Sequence, residues 1–479
     1  MNDETQDLFT TFDEKLLLGK RYLPEIHNEI QQVYVADRRP WVIGYSGGKD
    51  STVSLQLIWN ALRELPNNRL VKPVHIISSD TLVESPAIMS HVNSSLKSLQ
   101  EKAIKIGLPF HTQKVKREIT HSFWVNLIGR GYPIPYHRNR WCTDRLKVRP
   151  INKFISEKIQ QYGEVIIVLG LRKAESSARS QSIKSYTIRK SPLKRHSFFS
   201  GAFVYTPVAD FTTEDVWKYL AMVPSPWGNQ STNKKLFDLY NDANAEDRPF
   251  LMDNETPTIG GRRFGCWVCT VVDRDTSMES LIAKGGEWMK PLLELRNKLA
   301  KLKDPAEKAK YRDHRRRNGK VYFKDGGQEI ALGQTTLEKG LPQKLLRLLL
   351  ETQIEIHKTM PDFELISDEE LHEIRRLWRV EQNDWEDQLP IIYNEVTGRH
   401  LNWLQDDAGA FTSFEKEILE DVCSKKNFPS TLVAELLELE RQFQGMSKRT
   451  NIHNRINKIF EKEWRSVEEI ISSIKQDNK

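Results

Sequence analysis

The residues best suited to chemistry are Ser46, Gly47, Gly48, Lys49, Asp50 and Ser51, with Thr52 directly after them. They follow the apolar run WVIGY and precede a stretch with apolar residues at helical spacing. Glycines at a strand–helix junction let the backbone turn tightly and aim successive N–H groups at an anion. The helix N-terminus adds partial positive charge. Lys49 supplies a full charge, and Ser46, Ser51 and Thr52 supply hydroxyls. The spacing is neither the Walker pattern nor G-x-G-x-x-G. Asp50 is also compatible with a helix N-cap, and the plainer alternative for the whole stretch is a glycine turn with an incidental lysine. A second set is sulfur. The chain has four cysteines: Cys142, Cys266, Cys269 and Cys423. So few thiols make no disulfide framework, and Cys266-x-x-Cys269 could be a zinc site, a redox dithiol or a cluster site. No histidine stands at tight spacing to that pair to complete a zinc site.

These groups need elements to hold them. Leucines and isoleucines at helical spacing over 11–35 predict an introductory helix. Apolar runs at 41–45, 73–78, 108–115 and 164–170 predict strands, and helical periodicity fills 51–65, 84–106 and 145–162. Strands alternating with helices imply right-handed crossovers and a mostly parallel sheet, with ligands at the carboxyl ends of the strands. Residues 171–195 are polar and basic and read as a mobile loop. A capping pattern opens a helix at 212–222. Residues 224–270 read as irregular, and from about 276 the chain becomes charged, leucine- and glutamate-rich and almost free of proline. The expected organisation is an N-terminal helical segment at 1–36, an α/β domain at 37–275 and a mainly helical module at 276–479.

The 479 residues exceed one ordinary domain, and 38% hydrophobic with 29% charged residues fits sizeable cores rather than disorder. A net charge of +7 permits a nucleic-acid partner without demanding one. The opening residues are acidic and polar and no apolar run reaches the ~18 residues a bilayer requires. The cytoplasm, with no membrane, is therefore the expected compartment.

The stretch SGGKDS resembles the PP-loop, SGGxDS, of the ATP pyrophosphatases, which bind the β,γ-pyrophosphate and cleave ATP between the α- and β-phosphates. The resemblance implies an α/β doubly wound sheet, ATP as ligand, Mg²⁺ as its counter-ion, and Asp50 holding the metal–pyrophosphate group. SSDT at the end of the second strand, with Asp80, resembles the DTG-type turn of the 3′-phosphoadenylylsulfate (PAPS) reductase branch, without its glycine. GLRKAESSARS resembles that branch's G-x-R-x-x-E-S-x-x-R element. This adds Gly170, Arg172, Glu175 and Arg179, with Arg172 and Arg179 as phosphate forks and Arg172 stabilising charge near the α-phosphate. RWCTDRLKVRP resembles C-C-x-x-x-K-x-x-P through Cys142, Lys147 and Pro150, with Trp141 where the other cysteine would stand. FGCWVCT resembles GC-x-x-CT.

The order of these elements, with PVADFTTEDVW and LFDLY, resembles the DndC sulfurtransferases of bacterial DNA phosphorothioation. That resemblance covers about 40–300. It implies ATP cleavage to AMP and pyrophosphate, and a [4Fe–4S] cluster on Cys142, Cys266 and Cys269 with one iron open. It also implies a cysteine desulfurase as sulfur donor and DndD- and DndE-like partners. Cys423 is either a fourth ligand or a buried core thiol in an amphipathic helix. DNA requires a basic face. Arg138, Arg140, Arg145 and Lys147 are candidates, with the loop 179–195 and the run 311–320, although such runs are also ordinary solvated faces. The rivals are a sulfonucleotide reductase, whose usual cysteine near the C-terminus the tail IISSIKQDNK lacks, and a tRNA thiolase with a base carbonyl as acceptor. A protein that only binds partners fits poorly with the intact loop.

Overall fold

All four apolar runs of the first half form strands: those at 41–45, 73–78 and 164–170 are largely buried, and that at 108–115 is the sheet's partly exposed edge. The computed structural model describes residues 16–175, 191–243, 264–324, 329–403 and 411–477. Its main sheet has six strands: β1 (Trp41–Gly44), β2 (Val74–Asp80), β3 (Phe110–Lys116), β4 (Val165–Val168), β5 (Lys194–Arg195) and β6 (Ala202–Tyr205). They lie in the order β3-β2-β1-β4-β6-β5. The first five in that order run parallel, and β5 pairs antiparallel with β6. Trp41 stands opposite Val74 on one side and Ile166 on the other. The chain therefore winds outward from β1 through β2 to β3, then returns to place β4 beside β1. That reversal opens a crevice at the carboxyl ends of β1 and β4, where ligands of such sheets bind.

The strands explain their own burial. Along β1 successive side chains face opposite layers. Trp41 and Ile43 enter a core with Val74, Ile76, Ile166 and Val168, and with residues of α1 (Leu23–Val35), α2 (Lys49–Arg63) and α3 (Pro86–Ile106). Val42 turns the other way, with Ile77 and Val115, against Phe154 of α4 (Arg149–Tyr162). Ile155 of α4 covers Val165, Ile167 and Ala202. Each such aliphatic side chain contributes about 1.5–3 kcal/mol on full burial.

Of the expected helix over 11–35, residues 11–15 lie outside the described residues, and among the described ones the helix runs over Leu23–Val35. Leu17–Leu18 and Arg21–Tyr22 pair as a short antiparallel hairpin around Gly19–Lys20. The stretch 224–270, expected as irregular, contains the helix α6 (Gln230–Asp242), which follows α5 (Thr213–Met222).

The chain divides into two compact units. One gathers Met1–Arg117, Cys142–Trp267 and Arg274–Glu287, and the other Glu118–Trp141, Val268–Asp273 and Trp288–Lys479. The second unit is mainly helical and incorporates a segment from the middle of the chain. Trp124 Nε1 donates to the Leu365 carbonyl at 2.8 Å, and Trp378 Nε1 to that of Ile128 at 3.0 Å. Among the described residues, no helix is long and apolar enough to cross a membrane.

One buried ion pair ties α1 to the start of β2. Lys72, 1% exposed at its side chain, donates to Asp37 at 2.9 Å and lies 4.9 Å from the Tyr34 ring centroid. Burial acts to raise the Asp37 pKa, but hydrogen bonds from Arg39 and Lys72 prevail and hold it below the ordinary value. A depressed carboxylate contributes stability that is present above its unfolded pKa of about 3.9 and is lost as pH falls through the folded value. Lys72→Ala is therefore expected to lower unfolding free energy by about 3 kcal/mol at neutral pH in chemical denaturation. The deficit relative to wild type should shrink below about pH 4.

Candidate active site

The loop 45–48 leaves β1 and enters α2 with Gly48 as N-cap, at φ −79° and ψ 162° and with no side-chain cap. Gly47 has φ +72°, and a Cβ there would lie 2.3 Å from Val92 Cγ2. Opposite, Gly170 follows β4, and a Cβ on it would lie 2.7 Å from the Asp50 carbonyl oxygen and 2.8 Å from Ser51 N. One glycine lets the loop turn, and the other lets the chain after β4 press against the first turn of α2.

That approach brings Arg172 to Asp50. Arg172 Nε donates to Asp50 Oδ1 at 2.5 Å, and Arg172 Nη1 donates to Thr213 Oγ1 at 3.2 Å. The other oxygen of Asp50 accepts from Lys49 Nζ at 3.1 Å. Lys49 and Arg172 are almost fully buried, at 2% and 1% exposure. Two desolvated cations thus converge on one carboxylate beside a helix N-terminus.

Tyr240, from α6, hydroxyl-caps this end. Its oxygen accepts from Lys49 N at 3.3 Å, and its ring lies 5.6 Å from Lys49 Nζ. The Ser51 and Thr52 hydroxyls, expected as ligand donors, donate back to the Gly48 carbonyl, each at 2.9 Å. Ser46 and Ser51 face one another, Oγ to Oγ, at 3.1 Å.

These groups border a cavity of about 440 Å³ in the first unit. Its polar lining includes the loop with Lys49, Asp50, Gly170 and Glu175, and its apolar lining includes Ile88, Met89 and Val92 of α3 and Ile151 and Ile155 of α4. The size suits a small ligand with anionic and apolar parts. Asp80 is not part of the lining. Its Oδ1 accepts from Leu82 N at 3.2 Å, which makes it a turn-forming residue behind the cavity wall. Arg179 lies outside the described residues.

Past Asp80 the lining continues to Glu84, a residue that sequence reading did not single out. Its Oε1 accepts from Lys147 Nζ at 2.8 Å, and Cys266 Sγ lies 3.8 Å from Oε2. A backbone bridge pairs Glu84 with Cys266, and Trp267 N donates to the Val83 carbonyl at 2.9 Å. Burial acts to lower the Lys147 pKa, yet the negative character of Cys266, Glu84 and Cys142 holds it above the ordinary lysine value. Lys147, read from sequence as a DNA contact, thus sits at the cavity wall between the two cysteine elements of the first unit.

Cys269 is counted with the second unit, where Arg296 Nε donates to its carbonyl at 2.9 Å. Cys423 is buried on the helix Ser413–Lys426. Among the described residues, no three His, Cys, Asp or Glu side chains are gathered as a metal site. Cys142 and Cys266, converging on one cation, fit a thiolate-held group as far as two ligands. Arg138 and Arg140 are exposed in the second unit, and Arg145 is half-buried in the first.

Residues 40–272 match the family model of the phosphoadenosine phosphosulfate reductase domain. The loop-bearing domain is thus similar to a PAPS reductase domain over a little less than half of the chain. Residues 415–461 of the helical unit match the model of a small protein found in certain Dnd DNA modification systems. A curated relative, the uncharacterized protein MJ0066 of Methanocaldococcus jannaschii, is 26% identical over 198 residues, 41% of this chain and 35% of that protein. The chain thus matches about a third of that relative's length. A PAPS reductase from Candida auris, solved with phosphate, is similar at 16% identity and TM-score 0.26, over 46% of this chain and 85% of that one. The U34-tRNA thiolase NcsA of Methanococcus maripaludis, solved with its [4Fe-4S] cluster, is similar at 12% identity and TM-score 0.28, over 46% and 72%. Scores this low carry no argument.

Two substitutions test the PAPS reductase-like site. Gly47→Ala forces a Cβ into Val92 at a left-handed position, and pyrophosphate affinity by calorimetry is expected to fall at least about tenfold. Arg172→Lys removes the fork that reaches Asp50 and Thr213 together, and the same titration is expected to lose about 2 kcal/mol.

Proposed function

We propose that this protein is an ATP-dependent sulfurtransferase of DNA phosphorothioate modification. The observation that carries the reading is the adjacency of two kinds of chemistry. A cavity lined by the PP-loop has Glu84 and Lys147 in its wall, and that wall meets Cys266 and Cys142. The match of residues 415–461 supports the choice of DNA modification, and Dnd-system proteins are the partners it favours.

In this reading the loop amides and Lys49 take the β- and γ-phosphates of ATP, and the apolar lining takes the nucleoside. Asp50 holds the Arg172 fork toward the α-phosphate, and its oxygens, with those of the phosphates, are the hard donors that Mg²⁺ requires. A non-bridging oxygen of the DNA phosphate attacks the α-phosphorus. The new P–O bond forms as the α–β bridge breaks, and pyrophosphate departs with its charge on the loop. Hydrosulfide, released from the persulfide of a cysteine desulfurase by a two-electron thiol reductant, then attacks the DNA phosphorus. The P–S bond forms, and AMP leaves with the oxygen. Positioning and electrostatic stabilisation provide most of the rate. Cys142, Cys266 and Cys269 would hold a [4Fe–4S] cluster, and three-thiolate ligation leaves one iron able to bind sulfur. Lys147 offsets the negative charge that thiolates bring.

Anaerobic purification with iron and sulfide analysis tests this. Cys142→Ser, Cys266→Ser and Cys269→Ser should each lose the cluster, and Cys423→Ser should keep it. Zinc in place of iron, or equal loss in Cys423→Ser, contradicts the ligand set. ATP turnover that runs at full rate without DNA contradicts DNA as the acceptor.

A further inference from the structure

A second cavity, of about 400 Å³, lies wholly within the helical unit and has no part in the chemistry above. Trp385 and Phe411 form an aromatic wall, stacked with centroids 4.8 Å apart and planes at 29°. Around that wall the lining interleaves guanidinium and carboxylate groups. Arg376 makes a bidentate pair with Glu373 at 2.7 and 2.8 Å, and Arg441 makes one with Glu438 at 2.7 Å on each arm. Arg375 forks onto Asp387 at 2.8 and 2.6 Å, and Arg379 approaches the same carboxylate at 3.7 Å.

The mixture of charges selects among ligands. A phosphate in this cavity would meet Glu373 and Glu438 along with the arginines, and the carboxylates would repel it. A flat heteroaromatic ring meets no such conflict. Its face stacks on the aromatic pair, and its edge, which carries both donors and acceptors, is matched by a lining that holds both guanidinium and carboxylate groups. The volume falls within the ~300–1,000 Å³ range of small-ligand pockets, enough for a base with its sugar.

We infer that this cavity is a nucleobase slot, which takes one unstacked base of a single-stranded or locally opened nucleic acid. The slot provides a means of reading sequence that the backbone chemistry of the first unit lacks. It does not depend on the sulfur-transfer reading, because it is measured without ATP or metal.

The test titrates the full chain into short single-stranded DNA carrying one 2-aminopurine, beside the same strand with an abasic site there. The expected result is quenched fluorescence with the intact strand and about tenfold weaker binding of the abasic strand. Phe411→Leu and Arg376→Ala should each remove that difference. Arg376 is half-exposed, so Arg376→Ala decides the matter if Phe411→Leu does not fold. Equal binding of the two strands, no binding of either, or quenching and discrimination that survive Arg376→Ala would each overturn the inference.

Discussion

Everything at the candidate active site depends on one carboxylate shared by two buried cations. Asp50 sits at the first turn of α2, with Lys49 on one oxygen and Arg172 on the other. A buried cation is costly unless paired, and Asp50 pairs with both. The adjacent helix N-terminus and glycine turn favour an anion at the same place. The fold makes the arrangement possible through topology. β1 and β4 are neighbours only because the chain returns from β3 to the middle of the sheet, and this return sets Gly170 against the backbone of Asp50 and Ser51.

The same topology explains why the sulfur-bearing elements lie where they do. β2 ends in a turn organised by Asp80, and the chain then pairs Glu84 with Cys266 through their backbones. Lys147, in the π-helical turn Asp144–Val148 that leads into α4, reaches back to Glu84. Three segments far apart in sequence thus meet at one wall of the cavity. Lys147 changes meaning in consequence: its charge is used against a carboxylate and two thiols, leaving less of it for a DNA backbone.

Much of the fold was legible because its central strands are unbroken apolar runs with punctuated ends. WVIG and VIIV are buried on both faces and have no other stable use. The loop was legible for a related reason, since glycines, a lysine and hydroxyls at a strand end have few purely structural uses. What escaped was whatever depends on distant partners. β6 is short and only half-buried at Phe203 and Val204, so it lacks the pattern of a central strand. α6 is too polar over its first turns to announce itself, yet it delivers Tyr240 to Lys49 across 191 residues. Glu84 reads as an ordinary acidic residue before a helix until Lys147 and Cys266 are seen beside it. The hydroxyls of Ser51 and Thr52, expected as ligand donors, also donate to the Gly48 carbonyl, a contact that residue types alone do not announce. The segment 118–141 has the apolar content of a core element, and nothing in its own residues marks it as belonging to the helical unit.

The central claim is that the anion bound beside Asp50 is the pyrophosphate end of ATP. The most direct measurement is ³¹P NMR of ATP with Mg²⁺ and DNA in the oxygen-free, reconstituted protein, following which phosphorus resonances replace those of ATP. The account predicts AMP and pyrophosphate, with their appearance abolished by Asp50→Asn. ADP and inorganic phosphate as products, or AMP and pyrophosphate formed equally well by Asp50→Asn, would contradict it.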